Sequence, residues 1–314
     1  MRYYFAPLEG LTDSIYRREH HKYFPGVDRY YTPFFSPTIH RALTARESRE
    51  LPAADALGIE VVPQVLTKAP EDFIWMSRVC GDLGYQEVNL NLGCPSGTVT
   101  AKGKGSGMLR DLDFLDSFLC EIFARSALPV SVKTRLGFTE PEEFYAILDI
   151  FNRYPLKELT VHPRVRQDFY NGAVNMQMFQ YAASHSKAPV CYSGNLNTRG
   201  QTAEFSRENP GVSAVMLGRG LIGDPGMLTP GGTTAAKLEV FLGELFEEYA
   251  LQYGGAKNAM FRLKENWRYL FCLFQPDAKL QKRLRKATSL SEYKAVTSEI
   301  LHNLPLRQEL TPDW

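Results

Sequence analysis

Cysteine is sparse in this chain of 314 residues, and none of it is paired. The five thiols, at 80, 94, 120, 191 and 272, form no CxxC pair and no metal-ligand spacing. That pattern excludes a zinc or iron–sulfur module and predicts reduced thiols in a cytoplasmic protein without a metal. Net charge is almost absent too: 36 basic and 35 acidic residues leave +1, so any nucleic-acid surface must be a local patch. No apolar run approaches the length that spans a bilayer. The opening Met1-Arg2-Tyr3-Tyr4-Phe5-Ala6-Pro7 already reads as a strand, which leaves no room for a signal peptide. Solenoid repeats and low-complexity tracts are missing as well.

What remains is an ordinary globular composition, 44% hydrophobic and 23% charged, with a regular internal rhythm. Short β-rich runs recur near 2–6, 28–33, 59–65, 86–92, 128–133, 157–162, 189–193 and 213–217. Helical segments fill the gaps, among them 12–23, 70–80, 113–125, 140–153 and 198–207, the last opened by a Thr198 cap. Eight alternations predict an α/β chain folded as a (β/α)8 TIM barrel. An open doubly wound sheet would want a phosphate-binding glycine turn after its first strand, and Ala6 to Asp13 carries no GxGxxG. After Pro230-Gly231-Gly232 only helical patterns follow, near 234–252, 256–274, 277–287 and 290–302. The expected division is therefore a barrel over 1–230 and an all-helical domain over 231–314.

The richest stretch is Asn89-Leu90-Asn91-Leu92-Gly93-Cys94-Pro95-Ser96, followed by Gly103, Gly105 and Gly107. Strand alternation puts Asn89 and Asn91 on one face. Gly93 and Pro95 shape a tight turn around the thiol of Cys94, and the later glycines let another molecule approach closely. In a barrel, chemistry sits just past the carboxyl ends of the strands. The other predicted ends carry Pro7 and Gly10, Gln64, Lys133 and Arg135, His162 and Arg164, Gly194 and Asn195, and Gly218 and Arg219.

Together, Ala6-Pro7-Leu8-Glu9-Gly10-Leu11-Thr12-Asp13 with Tyr16-Arg17, Asn91-Leu92-Gly93-Cys94-Pro95, Val132-Lys133-Thr134-Arg135-Leu136-Gly137, His162-Pro163-Arg164 with Tyr170-Asn171-Gly172, and Met216-Leu217-Gly218-Arg219 resemble the dihydrouridine synthases. Those are FMN enzymes that reduce uridine in RNA, usually tRNA. The resemblance covers about the first 230 residues, and the helical tail is similar in position and size to the family's RNA-binding domain. Asn89, Pro163, Ser193-Gly194-Asn195 and Asn175-Met176 depart from the family pattern.

Reducing a pyrimidine double bond needs a hydride donor that no side chain provides, so a cofactor is required. The resemblance implies FMN, reduced by NADPH or NADH. It places Ala6, Pro7 and Leu8 against the ring, Gln64 and Asn195 in hydrogen bonds around it, and Lys133 as the positive charge near its N1 side. Gly194, Gly218 and Arg219 complete the cofactor set, with the last two at the phosphate. Cys94 is the expected proton donor to C5, opposite hydride delivery to C6. A thiol with an unperturbed pKa near ~8.5 is mostly protonated at neutral pH and suits that task. Asn91 and Arg135 are expected at the substrate. His162 and Arg164 are expected either at the flavin phosphate or at the substrate.

A uridine in folded RNA reaches a barrel mouth only when extruded. Between 255 and 290 nine basic residues face two acidic ones. Lys264, Arg268, Lys279, Lys282, Arg283 and Lys286 are the candidate RNA contacts, four of them at i, i+3, i+4, i+7 spacing on one helix face, and Trp267 and Tyr269 strengthen the case. The expected partner is tRNA, with rRNA open, and the expected state is a monomer. A flavin reductase of a free pyrimidine or small enone, and a non-catalytic RNA-binding protein on the same barrel, are the competing readings.

Overall fold

The structure, a computed structural model, describes residues 1–314 apart from the side chain of Leu57. Nine strands, β1 (Arg2–Phe5), β2 (Arg29–Tyr31), β3 (Val61–Val62), β4 (Gln64–Val65), β5 (Val88–Leu92), β6 (Val130–Gly137), β7 (Leu159–Val165), β8 (Val190–Tyr192) and β9 (Ala214–Leu217), join one parallel sheet. Their order is β3-β2-β1-β9-β8-β7-β6-β5-β4. The two ends of that order, β3 and β4, are consecutive in sequence and separated only by Pro63. Proline has no N–H for the ladder, so it splits one run in two. The order therefore closes on itself, and the eight expected runs form a (β/α)8 barrel.

The crossovers hold helices because their apolar residues recur at helical spacing. Asp111 caps Leu112–Arg125 by accepting from Phe114 N at 3.0 Å, and the expected Thr198 cap accepts from Gln201 N at 3.1 Å. The segment expected to be helical over 140–153 is helical over Glu143–Phe151. The Glu143 carboxylate collects the N–H groups of Phe138, Thr139 and Glu140 at 2.6, 2.9 and 2.9 Å and holds them as a turn. No helix among the described residues is long and apolar enough to cross a membrane.

Two compact units emerge. The first is Met1–Pro7, Asp28–Asn195 and Glu208–Met216; the second is Leu8–Val27, Leu196–Arg207 and Leu217–Trp314. The second reaches further back in the chain than the expected span 231–314, because the helix Ser14–Tyr23 packs with the C-terminal helix Ala235–Gln252: Phe241 meets Tyr16 and Phe24 edge-on.

Inside the barrel, the first unit carries an apolar cluster of Ala6, Val62, Cys191, Ala214 and Met216 with the rings of Tyr4 and Tyr31. Where the strands start, the fill is polar. Glu158 accepts from Tyr4 Oη at 2.9 Å and Tyr31 Oη at 3.5 Å, and Arg29 is held between Glu60 and Glu87. Burial pushes the Glu158 carboxyl above its usual range and the Tyr4 phenol with it.

In the second unit the anchor is Asp13. Its carboxylate accepts from Tyr16 N at 2.9 Å, capping the helix Ser14–Tyr23, and from Tyr249 Oη, Tyr253 Oη and Arg262 Nε at 3.1, 3.3 and 3.0 Å. The Arg262 guanidinium also lies over both tyrosine rings. Asp13→Ala removes the cap and strips a largely buried cation of its counter-charge. The expected loss is about 3–5 kcal/mol of unfolding free energy, measured by denaturant titration. Adding Arg262→Met should restore part of it; a single variant as stable as wild type would remove Asp13 from this role.

Candidate active site

β5 reads Val-Asn-Leu-Asn-Leu, and all five residues are buried. Its leucines face the surrounding helices while the asparagines face the barrel interior, where a lone amide would be destabilising. The neighbouring strands supply the partners, since Gln64 is in register with Asn89, Asn89 with Ser131, and Asn91 with Lys133. Gln64 Nε2 donates to Asn89 Oδ1 at 2.8 Å, Asn89 Nδ2 donates to Ser131 Oγ at 2.8 Å, and Asn91 Nδ2 donates to Gln64 Oε1 at 2.7 Å.

The chain of amides ends at the thiol turn. Asn91 Oδ1 accepts from Gly93 N at 3.1 Å and from Cys94 N at 2.9 Å. Each carbonyl of the turn is also held. Gly93 O accepts from Arg135 Nε at 2.9 Å, Cys94 O from Ser106 Oγ at 2.8 Å, and Pro95 O from Arg166 Nε at 3.1 Å. Gly105 must be glycine: its φ is +57°, and a Cβ there would lie 2.9 Å from Cys94 O and 3.1 Å from Cys94 Cβ. The Cys94 side chain is partly exposed, unlike Cys80 and Cys191, which are buried.

Lys133 projects from β6 and is partly buried. Burial first, and then the Arg135 charge, push its ammonium down to about 8. Arg135 is 2% exposed, and its other nitrogens donate to Val165 O at 2.9 Å and Phe169 O at 2.5 Å. Those bonds hold Phe169 at φ +52°, ψ −101°, a conformation that is strained for a residue with a side chain. Arg164, 1% exposed, donates to Asn171 O, Gly172 O, Asn195 Oδ1 and His162 Nε2. A guanidinium only donates, so His162 Nε2 is the acceptor in this contact. Gly194 leaves room for Tyr192: a Cβ at 194 would lie 2.0 Å from the Tyr192 hydroxyl.

The first unit thus brings together Gln64, Asn91, Cys94, Lys133, Arg135, His162, Arg164 and Asn195, with Ala6 in the apolar cluster below and Pro7 at the end of β1. Leu8, Gly218 and Arg219 belong to the second unit. There Gly218 precedes the short helix Arg219–Gly223, and the Arg219 guanidinium lies 5.9 Å from the Trp314 ring centre. On the basic stretch, Arg268, Lys279, Lys282 and Lys286 are exposed, as are Lys257 and Arg285. Leu280 and Leu284 turn inward on the helix Ala278–Lys286. Lys264 donates to Arg285 O and Ala287 O at 2.9 and 2.7 Å, closing that helix's C-terminus, and Arg283 pairs with Glu299 at 2.7 Å. Trp267 is buried and donates to Tyr293 Oη, and the large exposed ring on its helix, Ala256–Leu270, is Phe261.

Sequence reasoning missed Asn89, Ser106, Ser131 and Arg166. Strand alternation put Asn89 beside Asn91, and Arg166 stands two residues past Arg164. The bond from Ser106 back to Cys94 O spans twelve residues and leaves no trace in a local pattern.

The sequence model of one family, Dihydrouridine synthase (Dus), matches residues 4–293. A protein of Synechocystis sp. named probable tRNA-dihydrouridine synthase 1 is 29% identical over 70% of this chain and 61% of its own length. The tRNA-dihydrouridine synthase B of Pasteurella multocida is 24% identical over 71% and 67%, and the probable tRNA-dihydrouridine synthase 2 of Bacillus subtilis 26% over 70% and 69%. Among solved structures, a variant of NCR from Zymomonas mobilis has a TM-score of 0.51 at 13% identity, covering 71% of this chain and 83% of that one. That likeness shows the barrel fold.

The lowered Lys133 ammonium has a signed consequence. An unfolded lysine titrates near ~10.4, so between about 8 and that value the unfolded chain binds more protons and stability rises with pH. Lys133→Met in the flavin-free protein should therefore raise the thermal midpoint at pH 7, with the gain shrinking toward about pH 10. A gain that is the same across that window would contradict the assigned shift.

Proposed function

Because the chain belongs to the dihydrouridine synthase family, we propose that it reduces uridine in tRNA to 5,6-dihydrouridine, with bound FMN and NAD(P)H as reductant. The observation that carries this reading is the Cys94 turn. A partly exposed thiol stands at the carboxyl end of a barrel strand, its backbone fixed by Asn91, Arg135, Ser106 and Arg166.

The residues fit a flavin. Lys133 would offer a cation to the ring system, and the Gln64 amide would offer a hydrogen bond beside it. When bound and reduced by NAD(P)H, the flavin supplies the hydride that C6 of the uracil receives. The protein does the rest. Cys94 gives its proton to C5, and the thiolate left behind takes a proton from water. Asn91 orients the base at the thiol. Lys133 holds positive charge where negative charge collects in the reduced cofactor. Arg135 and Arg164 act mainly by fixing the 165–172 segment, because their donors meet backbone carbonyls.

A free pyrimidine would need no cationic surface. The exposed Lys257, Arg268, Lys279, Lys282, Arg285 and Lys286 therefore favour RNA over the small-molecule reading, since phosphate contacts supply most of the affinity for a polyanion. Those contacts also offset the few kcal/mol that base extrusion requires.

Nucleoside mass spectrometry after incubation of unmodified tRNA with the protein, FMN and NADPH should show dihydrouridine. Cys94→Ala should keep its flavin and lose about 10²–10⁴-fold in rate, the usual contribution of a positioned acid. Flavin retention and NADPH oxidation without dihydrouridine in tRNA would shift the reading to a small enone; a protein that binds no flavin would end it.

A further inference from the structure

The loop that packs on Cys94 presents two lysines that the reaction does not use, and a third lies against it. After the short helix Gly97–Thr100 the sequence runs Ala-Lys102-Gly103-Lys104-Gly105. Its backbone is fixed: Lys102 N and Lys104 N donate to Val99 O, and Gly103 N donates to Thr100 O. Gly103 and Gly105 have φ of +70° and +57°, so a turn of left-handed residues presents Lys102 and Lys104 from one tight loop. A third lysine reaches in from the segment after β4. A Cβ on Gly103 would lie 3.7 Å from Lys68 Cδ and 4.0 Å from its Nζ. Lys104 Nζ is itself placed, donating to Ser36 Oγ at 3.0 Å.

The charges of Lys68 and Lys102 both act against that of Lys104, whose ammonium lies below its ordinary value despite the opposing charge of Asp72. The nearby carboxylate, Asp72, already accepts from Arg41 Nε at 3.3 Å and Thr67 Oγ1 at 3.2 Å. Burial is the main cause of that lowering; Asp72 opposes it, and the charges of Lys102 and Lys68 add smaller contributions in the same direction as burial. An anion with several acceptor oxygens would relieve this repulsion. Beside the cluster, Lys68 and Gly103 continue into an open cleft of about 430 Å³ walled by Met108, Arg110, Asp111 and Phe114; the Asp111 carboxylate is engaged by Phe114 N, and Phe114 is 39% exposed. A cation cluster next to an exposed ring suits a nucleotide, with phosphate on the ammoniums and base on the ring.

We propose that Lys68, Lys102 and Lys104 form a phosphate site that takes the RNA backbone beside the reacting uridine. The inference rests on the reading that the reacting base lies against Cys94. Lys104 is adjacent to Gly105, where an added Cβ would lie only 2.9 Å from Cys94 O. The phosphates flanking an extruded nucleotide are tied to it through its sugar, and this loop is the basic segment whose backbone packs on Cys94. A nicotinamide dinucleotide also carries phosphate, and the test separates the two sources.

The variant Lys68→Gln/Lys102→Gln is compared with wild type by equilibrium binding of an unmodified tRNA transcript over a salt series, without turnover. Loss of two contacts should reduce the slope of log affinity against log salt by about 2 and weaken binding at low salt by about tenfold or more. Flavin absorbance and the KM for NADPH should stay as in wild type. Lys68→Arg/Lys102→Arg should restore binding, which separates charge from damage to the loop. An unchanged slope and affinity would overturn the site. A raised KM for NADPH with unchanged RNA binding would overturn the RNA assignment. Because binding is read without chemistry, a chain that binds tRNA through these lysines yet makes no dihydrouridine would contradict the proposed activity and leave the phosphate site standing.

Discussion

The side chain of Asn91 bonds in two directions, and the candidate site takes its geometry from that fact. Its amide nitrogen donates to Gln64 on β4 and so ties it, through Asn89 on its own strand, to Ser131 on β6. Its oxygen accepts the N–H groups of Gly93 and Cys94, just past the strand's end. The register of three parallel strands is thereby passed to the turn that carries the thiol. A hydrocarbon at 91 would leave two turn N–H groups and one Gln64 oxygen without these partners. Buried polar groups left unmatched destabilise by more than a matched pair contributes, so the network holds as a set.

The arginines extend this logic outward. Arg135 and Arg166 engage the carbonyls on either side of Cys94, and Arg135 and Arg164 also hold the backbone from Val165 to Gly172. Arginine suits the task because its planar fork reaches several carbonyls at once and stays charged when buried. Asp13 in the second unit works in the same way: one carboxylate gathers four donors from the helices Ser14–Tyr23, Ala235–Gln252 and the residues that follow, beside the surface pairs Arg18–Glu248 and Lys22–Glu244. In both units a buried charge fixes backbone elements because its partners come from different parts of the chain.

The alternation of strand and helix was legible because it rests on local periodicity, and the strand ends were legible because parallel barrels put polar residues there. Cys94, Lys133 and His162 could be picked out as residues on that ground. Their bonding partners could not, since the Gln64–Asn89 and Arg135–Phe169 bonds depend on register and loop path. The basic C-terminal stretch shows the same boundary. Counting charges found the cations, but the packing that engages Arg262 with Asp13, Lys264 with helix carbonyls and Arg283 with Glu299 is three-dimensional. The split of the third strand had a local cause, Pro63, that composition alone did not expose.

The most direct test of the account is the reoxidation of pre-reduced enzyme by unmodified tRNA, followed anaerobically by flavin absorbance, in wild type and Asn91→Ala. If the amide aims the thiol at the base, the variant should take up NADPH hydride at the wild-type rate. Its reoxidation by tRNA should slow about 10²-fold, the effect expected when a catalytic group is misplaced by about an ångström. Reoxidation at the wild-type rate would contradict the claim that Asn91 sets the chemistry of this site.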